Sequence, residues 1–244
     1  MDKAVSVPKN HRVSLFINVL REELMRRGFF EQHLYSMINY RIENTDSFKV
    51  RNKLYLRYNP EPDIWRAGEQ YNKFFWIGSM FRDEKSPSRF HLREFTVIDI
   101  YLKGGTVKSV IKTFLHLLTI LEKKLYLPRL SKLKIKYVRY DDLVLLKRSD
   151  FNDRFWLVLT DYPTEESFYD TRGKDEVHTS KFEIFYVNNG KLLEIAACGR
   201  LGKNLNRVNY IRGVKSLIGG KLISKRFMGF GFGLERLVHI YHKS

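Results

Sequence analysis

With 244 residues, 43% hydrophobic and 14% aromatic, the chain has material for one large domain with its own core. A single cysteine, Cys198, excludes an intrachain disulfide; no run approaches the ~20 apolar residues of a membrane span, and the polar stretch from Met1 to Asn10 lacks the apolar core of a signal peptide, so a cytoplasmic location is expected. The formal net charge of +17 favours anionic partners such as a nucleotide, a nucleic acid or a membrane surface.

Val13, Phe16, Val19, Leu20 and Leu24 recur at helical spacing before Gly28, which predicts a helix over 12–27. A strand is expected to leave it at Phe29, and a short extended segment, 54–58, ends at Asn59-Pro60. Segments 74–81 and 95–102 are rich in aromatic and β-branched residues and flank a polar loop containing Pro87, so they are read as an antiparallel pair with a long connection. Gly104-Gly105 closes that pair. The clearest amphipathic helix covers 107–125 and is stopped by Pro128. Lys132, Lys134, Lys136 and Arg139 alternate with apolar residues and read as one exposed strand face. A strand over 155–160 turns at Asp161-Tyr162-Pro163, and Asn188-Asn189-Gly190 signals a hairpin between 182–187 and 192–197. A helix is expected over 205–217, and a last one from Gly233 through Tyr241. The expected architecture is α/β: a mostly antiparallel sheet flanked by helices in a single domain, 1–244.

Two segments carry chemistry. Gly229-Phe230-Gly231-Phe232-Gly233-Leu234-Glu235-Arg236 places glycines at every second strand position, clearing one face, and sets Arg236 where strand turns into helix. A helix N-terminus attracts phosphate and a guanidinium adds a planar fork of donors. The spacing fits neither a dinucleotide fingerprint nor a P-loop. The second segment is Phe81-Arg82-Asp83-Glu84 followed by His91-Leu92-Arg93-Glu94-Phe95-Thr96. Arg82 ends an apolar strand, Phe95 offers a ring on which a nucleobase can stack, and the loop with Lys85, Arg89, His91 and Arg93 suits closure over phosphates. From Ile195 to Leu234 there is no acidic residue, while Arg200, Lys203, Arg207, Arg212, Lys215, Lys221, Lys225 and Arg226 are basic; this run leads into the glycine-rich segment and reads as a polyanion surface, with a solvated basic face as the bland alternative.

These residues resemble the catalytic domain of class II aminoacyl-tRNA synthetases, of the subgroup with the aspartyl, asparaginyl and lysyl enzymes. Phe81 through Phe95 is similar to that family's motif 2, Gly229 through Arg236 to its motif 3, and Thr160-Asp161-Tyr162-Pro163 with Phe168-Tyr169 to a stretch of the aspartyl and asparaginyl enzymes. The resemblance implies ATP and Mg²⁺ as cofactors and an ATP site made by Arg82, Glu84, His91, Phe95, Gly231, Gly233 and Arg236. In it Arg82 holds the α-phosphate and the substrate carboxylate, Glu84 contacts adenine, Phe95 stacks on it and Arg236 binds the γ-phosphate. Glu194 matches a magnesium-binding glutamate, with Glu183 as its candidate partner. The implied partners are an amino acid, a tRNA acceptor end and a second copy of the chain.

The chain also departs from the family. The position matching the dimer-shaping proline of motif 1 holds Tyr35, and the stretch before motif 1 leaves no room for an anticodon-reading barrel, so a catalytic core alone is expected. Substrate signals conflict. Asn59-Pro60-Glu61 resembles the lysyl pattern, in which the glutamate contacts the substrate amine, whereas Arg200, six residues after Glu194, lies one position short of the arginine that aspartyl and asparaginyl enzymes use for the substrate side chain. Three functions stay open: amino-acid activation with transfer to tRNA or another acceptor, a tRNA-independent ligase of the asparagine synthetase type using aspartate, ATP and ammonia, and a non-catalytic RNA-binding paralogue.

Overall fold

Hydrophobic spacing alternates between helical and strand periods along the chain, and the elements follow it. The computed structural model describes residues 9–40, 46–52, 54–163, 178–201 and 227–242. Helix α1 (Lys9–Arg26) runs into strand β1 (Phe30–Glu31), followed by three short strands, β2 (Met37–Ile38), β3 (Lys49–Arg51) and β4 (Leu54–Leu56). Helix α2 (Glu61–Gln70) precedes the pair β5 (Lys73–Phe81) and β6 (Glu94–Lys103), then α3 (Val107–Leu125). Strands β7 (Ile135–Arg139), β8 (Phe155–Thr160), β9 (Phe182–Asn188), β10 (Lys191–Leu201) and β11 (Phe227–Gly233) complete the sheet before α4 (Leu234–His242).

The main sheet has eight strands in the order β1-β5-β6-β11-β10-β9-β8-β7. Its inner neighbours are antiparallel and its two outermost pairs, β1 with β5 and β7 with β8, are parallel. Strands β2, β4 and β3 form a separate small sheet. Side chains alternate between two faces, as the strand period requires. On the helix face Phe75, Ile98, Ile100, Phe230 and Phe232 pack with Phe16, Leu20 and Leu24 of α1, Phe114 and Leu117 of α3 and Leu237 of α4. On the opposite, front face Phe74, Trp76, Val97, Tyr101 and Phe227 pack with Ile64 and Ala67 of α2. Gly68 lets α2 approach this closely, since a Cβ there would lie 2.8 Å from the Phe227 ring.

Local signals set most boundaries. Thr106 caps α3: its hydroxyl accepts from the Ser109 N–H at 3.2 Å, and the Ser109 hydroxyl accepts from the Thr106 N–H at 2.8 Å. Asn189 and Gly190 both have positive φ, 48° and 73°, the backbone that a tight β9–β10 hairpin requires. The buried Glu122 carboxylate is held by Ser131 and by the Tyr241 hydroxyl at 2.9 Å, joining α3 to α4. Glu23 joins α1 to α3 through the His116 imidazole at 2.6 Å, and the hydrogen bond from Arg26 holds its carboxyl down at about 2.

The structure corrects several expectations. Helix α2 was not foreseen. Gly233 is the last residue of β11, paired with Val97, and α4 begins at Leu234. The basic cluster is not one strand face: Lys132 and Lys134 precede β7, Lys136 lies over the Phe155 ring, and Arg139, of opposite parity, reaches Asp161 at 3.6 Å. The helix expected over 205–217, the basic residues from Lys203 to Arg226, and Phe168-Tyr169 lie outside the described residues. Among the described residues no helix is long and apolar enough to cross a membrane.

Candidate active site

Arg82 follows the last residue of β5, and its backbone N–H donates to the Arg93 carbonyl at 2.9 Å, closing the loop between the strands. Beside it runs the segment after β4, whose Arg57 carbonyl accepts from the Phe81 N–H at 2.9 Å. Arg57 itself is buried, with its guanidinium 2.8 Å from Asp63, which fixes this segment against α2. Tyr58 is thereby set next to Arg82. The Arg82 guanidinium lies 5.1 Å from the ring centroids of both Tyr58 and Phe95. Its Nε is buried and has no hydrogen-bond partner among the described residues. Buried donors are nearly always satisfied, so a guanidinium set beside two rings with an unused donor fits an anionic ligand. The ring that was expected to stack on adenine thus carries Arg82 on its face.

The loop from Arg82 to Arg93 is shaped by its own polar groups. The Arg93 guanidinium donates to the Glu84 carbonyl at 3.1 Å, and the Glu84 carboxylate is approached by the Ser86 N–H at 3.4 Å. Ser88 and His91 exchange backbone hydrogen bonds, and His91 Nδ1 is 3.1 Å from the Ser88 hydroxyl, on the exposed outside of the loop.

Arg236, in the first turn of α4, joins three elements. Its Nε donates to the Phe90 carbonyl of the loop at 3.1 Å, and its Nη1 donates to the Glu194 carbonyl at 3.0 Å and to Glu194 Oε2 at 3.1 Å. The neighbouring Glu235 escaped the sequence reading: both its carboxylate oxygens accept the Thr96 N–H, at 2.9 and 3.0 Å, pinning the start of β6 to α4. An acid in the first turn of a helix was the only available signal.

The alternating glycines of β11 do less for a ligand than expected. The Tyr101 ring lies over Gly229, where a Cβ would come within 2.8 Å, and the Asp99 carboxylate lies over Gly231. Among the described residues, only Gly233 of these three has open space above it. Next to β11, Ala197 of β10 is exposed on the same front face, opposite Gly231 on one side and Glu183 on the other.

The two acids expected at a metal share the front face, since Glu194 pairs with Phe185, two residues along β9 from Glu183. Glu183 is already engaged: the Tyr162 hydroxyl donates to Oε2 at 2.5 Å and Lys181 Nζ lies 3.0 Å from Oε1. Burial, and then this carboxylate, push the Tyr162 phenol well above its ordinary range. Among the described residues there is no group of three or more His, Cys, Asp or Glu side chains that could hold a metal by themselves.

Arg200 is not brought to the site. A bulge between Glu194 and Ala196 turns Ala196, Cys198 and Arg200 toward the helix face, where Arg200 pairs with Met228 and donates to the Gly105 carbonyl at 3.4 Å. Glu61 opens α2, and its side chain lies outside the described residues.

The mostly antiparallel sheet with its flanking helices is the fold of a class II synthetase catalytic domain, and solved structures share it. The asparaginyl-tRNA synthetase from Pyrococcus horikoshii, complexed with asparaginyl-adenylate, superposes with TM-score 0.78 at 18% identity, over 96% of this chain and 65% of that one. The Entamoeba histolytica asparaginyl-tRNA synthetase, also with asparaginyl-adenylate, gives 0.72 at 14% identity over 100% of this chain and 70% of its own. The aspartyl-tRNA synthetase of that organism gives 0.71 at 19% over 96% and 55%. No curated protein sequence matches this chain. The family of class II tRNA synthetases (D, K and N) matches residues 10–198, and the chain belongs to it.

Proposed function

We propose that the chain activates an amino acid, joining its carboxylate to AMP with release of pyrophosphate, and passes the aminoacyl group to a tRNA or another acceptor. The observation that carries this is Arg82: a guanidinium over the Phe95 ring with a buried Nε that has no partner among the described residues, on the face of the sheet that also bears Glu194, whose carboxylate meets Arg236 of α4. The substrate carboxylate is ionised at neutral pH and attacks the α-phosphorus, so no general base is needed. As the bond to the bridging oxygen breaks, that oxygen keeps the electron pair and leaves with pyrophosphate. Arg82 would hold both the carboxylate and the α-phosphate in line and offset the charge that grows on the phosphoryl oxygens. Arg236, on release from Glu194, would take the terminal phosphate. Glu194 would hold Mg²⁺, which when bound supplies charge neutralisation along the phosphates. Glu84, His91 and Phe95 would border the nucleotide. The test is amino-acid-dependent ATP–pyrophosphate exchange over the common amino acids; absence of exchange with all of them rejects the reading. Formation of asparagine from aspartate, ATP and ammonia without RNA would select the tRNA-independent ligase instead.

The proposal includes a homodimer through α1 and β1. Its support is the apolar surface there: Met25 and Phe30 are 57% and 54% exposed, and β1 is a sheet edge. Light scattering at micromolar concentration is expected to give twice the 29.1 kDa chain mass. Replacing Phe30 with Lys should shift it toward the monomer; a wild-type monomer that still exchanges pyrophosphate rejects the interface.

A further inference from the structure

We propose that the outer edge of β7 is a docking site for an extended acidic segment of a partner protein, which adds to the sheet as a further strand. β7 is the last strand in the sheet order, so one of its sides has no neighbouring strand. On its other side the Trp156 N–H of β8 donates to the Lys134 carbonyl at 2.9 Å, and Ile135 pairs with Trp156 in parallel register. Successive residues of a strand turn their backbone groups to opposite sides. Lys134, Lys136 and Val138 therefore face β8, while the N–H and C=O groups of Ile135 and Tyr137 face outward. Among the described residues nothing bonds to those outward groups. The pairing with β8 runs over all five residues of β7, whereas β1, at the opposite edge of the sheet, has two. A row of donors and acceptors on a strand already held straight is a template for one more strand.

Charge selects the occupant. Between Glu122 and Asp141 the chain has seven basic residues and no acidic one. Some are engaged: Lys124 meets Glu22 at 2.6 Å, Lys136 lies over the Phe155 ring, and Arg139 reaches Asp161 at 3.6 Å. Arg129, Lys132 and Lys134, which lead into β7, are exposed and form no ion pair among the described residues. Two copies of the chain joined along this edge would set like charges against each other. Lysines on an edge repel a like-charged strand, but the same lysines attract an acidic one. A nucleic acid would answer the charges and leave the backbone row without partners. An acidic peptide answers both. Tyr137, 55% exposed on the strand itself, and Val144 and Leu145, exposed in the turn Tyr140–Leu145 that follows, add apolar surface. Apolar residues alternating with the acids of the incoming strand have that surface to lie on.

The site is separate from the candidate active site. β7 is four strands from β11 in the sheet order, roughly 19 Å at the usual spacing of neighbouring strands. Its test is therefore independent of amino-acid activation.

The experiment is fluorescence polarisation with the full chain and a labelled octapeptide of alternating glutamate and valine. Three other probes accompany it: the same peptide with every amide N-methylated, a peptide with lysine in place of glutamate, and an eight-nucleotide oligouridylate. The acidic peptide is expected to bind at least about tenfold tighter than each of the other three. Tyr137→Pro removes an outward N–H that β8 does not use, and should weaken the acidic peptide about tenfold while the urea midpoint stays at the wild-type value. Lys132→Glu combined with Lys134→Glu, at exposed positions ahead of the strand, should abolish the preference for the acidic over the lysine peptide. Equal binding of the N-methylated peptide overturns strand addition and leaves a charged patch. Tighter binding of oligouridylate makes the surface one for nucleic acid. Light scattering that shows Tyr137→Pro splitting a dimer makes the occupant a second copy of the chain. No binding of the acidic peptide, or unchanged binding in both variants, removes the site.

Discussion

Replacing Arg82 with alanine is expected to lower amino-acid-dependent pyrophosphate exchange by about 10²–10³-fold, the range seen when one pre-organised donor to a transition-state charge is removed. The guanidinium is set 5.1 Å from the ring centroids of both Tyr58 and Phe95 before any ligand arrives, so little side-chain ordering is left for the moment of reaction. Arg82→Lys is the sharper probe. Lysine keeps the charge but has neither the flat ion that fits between two rings nor the fork that grips two oxygens. It is expected to recover little of the lost rate. Exchange within a few-fold of wild type in Arg82→Ala would remove Arg82 from the chemistry. Recovery by lysine to near wild type would reduce its role to simple charge.

Trp156→Ala is expected to cost about 3–5 kcal/mol of stability, the usual range for deleting a large buried aromatic. Trp156 is 1% exposed, meets the edge of Phe114 of α3 at 5.2 Å and lies 5.5 Å from Tyr186. Its indole N–H donates to the Leu130 carbonyl at 2.9 Å, so alanine also removes that hydrogen bond and leaves the carbonyl with the Leu133 N–H. Trp156→Phe should keep most of the packing and lose mainly the hydrogen bond, at about 1 kcal/mol. Urea denaturation followed by circular dichroism separates the two variants. Equal midpoints for Trp156→Ala and wild type would mean that this contact between α3 and the outer half of the sheet does not hold the core.

Much of the fold was legible because local rules and tertiary packing agree. Strands β5 and β6 are marked by aromatic and β-branched runs, the β9–β10 hairpin by Asn189-Gly190, and α3 by its periodicity and by Thr106 ahead of it. Helix α2 was not legible: its apolar stripe of Ile64, Ala67 and Gly68 is short and made mostly of small residues, and its Pro62 reads more readily as a turn than as the first turn of a helix. The site was legible in its motifs but not in its faces. Glu194 and Arg200 are six residues apart, which in an unbroken strand puts them on one side; the single extra residue at the bulge reverses that. Likewise, glycines announce a cleared face, but whether a ligand or the protein's own Asp99 and Tyr101 fill it depends on register. Lys181 went unremarked because its neighbours in sequence do not advertise its contacts with Tyr162 and Glu183.

The place of β11 in the sheet bears on how the chain reaches its native form. Although it is the last strand of the described sheet in sequence, β11 lies between β6 and β10, so it does not join an edge but fills the middle. Until residues 227–233 are in place, the strands on either side have no common partner and their inward edges stay open to other chains. The earlier strands can pair locally as hairpins, yet the sheet becomes continuous only when a segment over a hundred residues downstream of β6 returns to it. Loop closure on that scale carries an entropy cost met before the contacts repay it, which makes assembly late and slow compared with local pairing. The strand that leads into Arg236 is thus also the one whose arrival makes the sheet whole, and the candidate active face is completed in the same event that hides the sheet's most vulnerable edges.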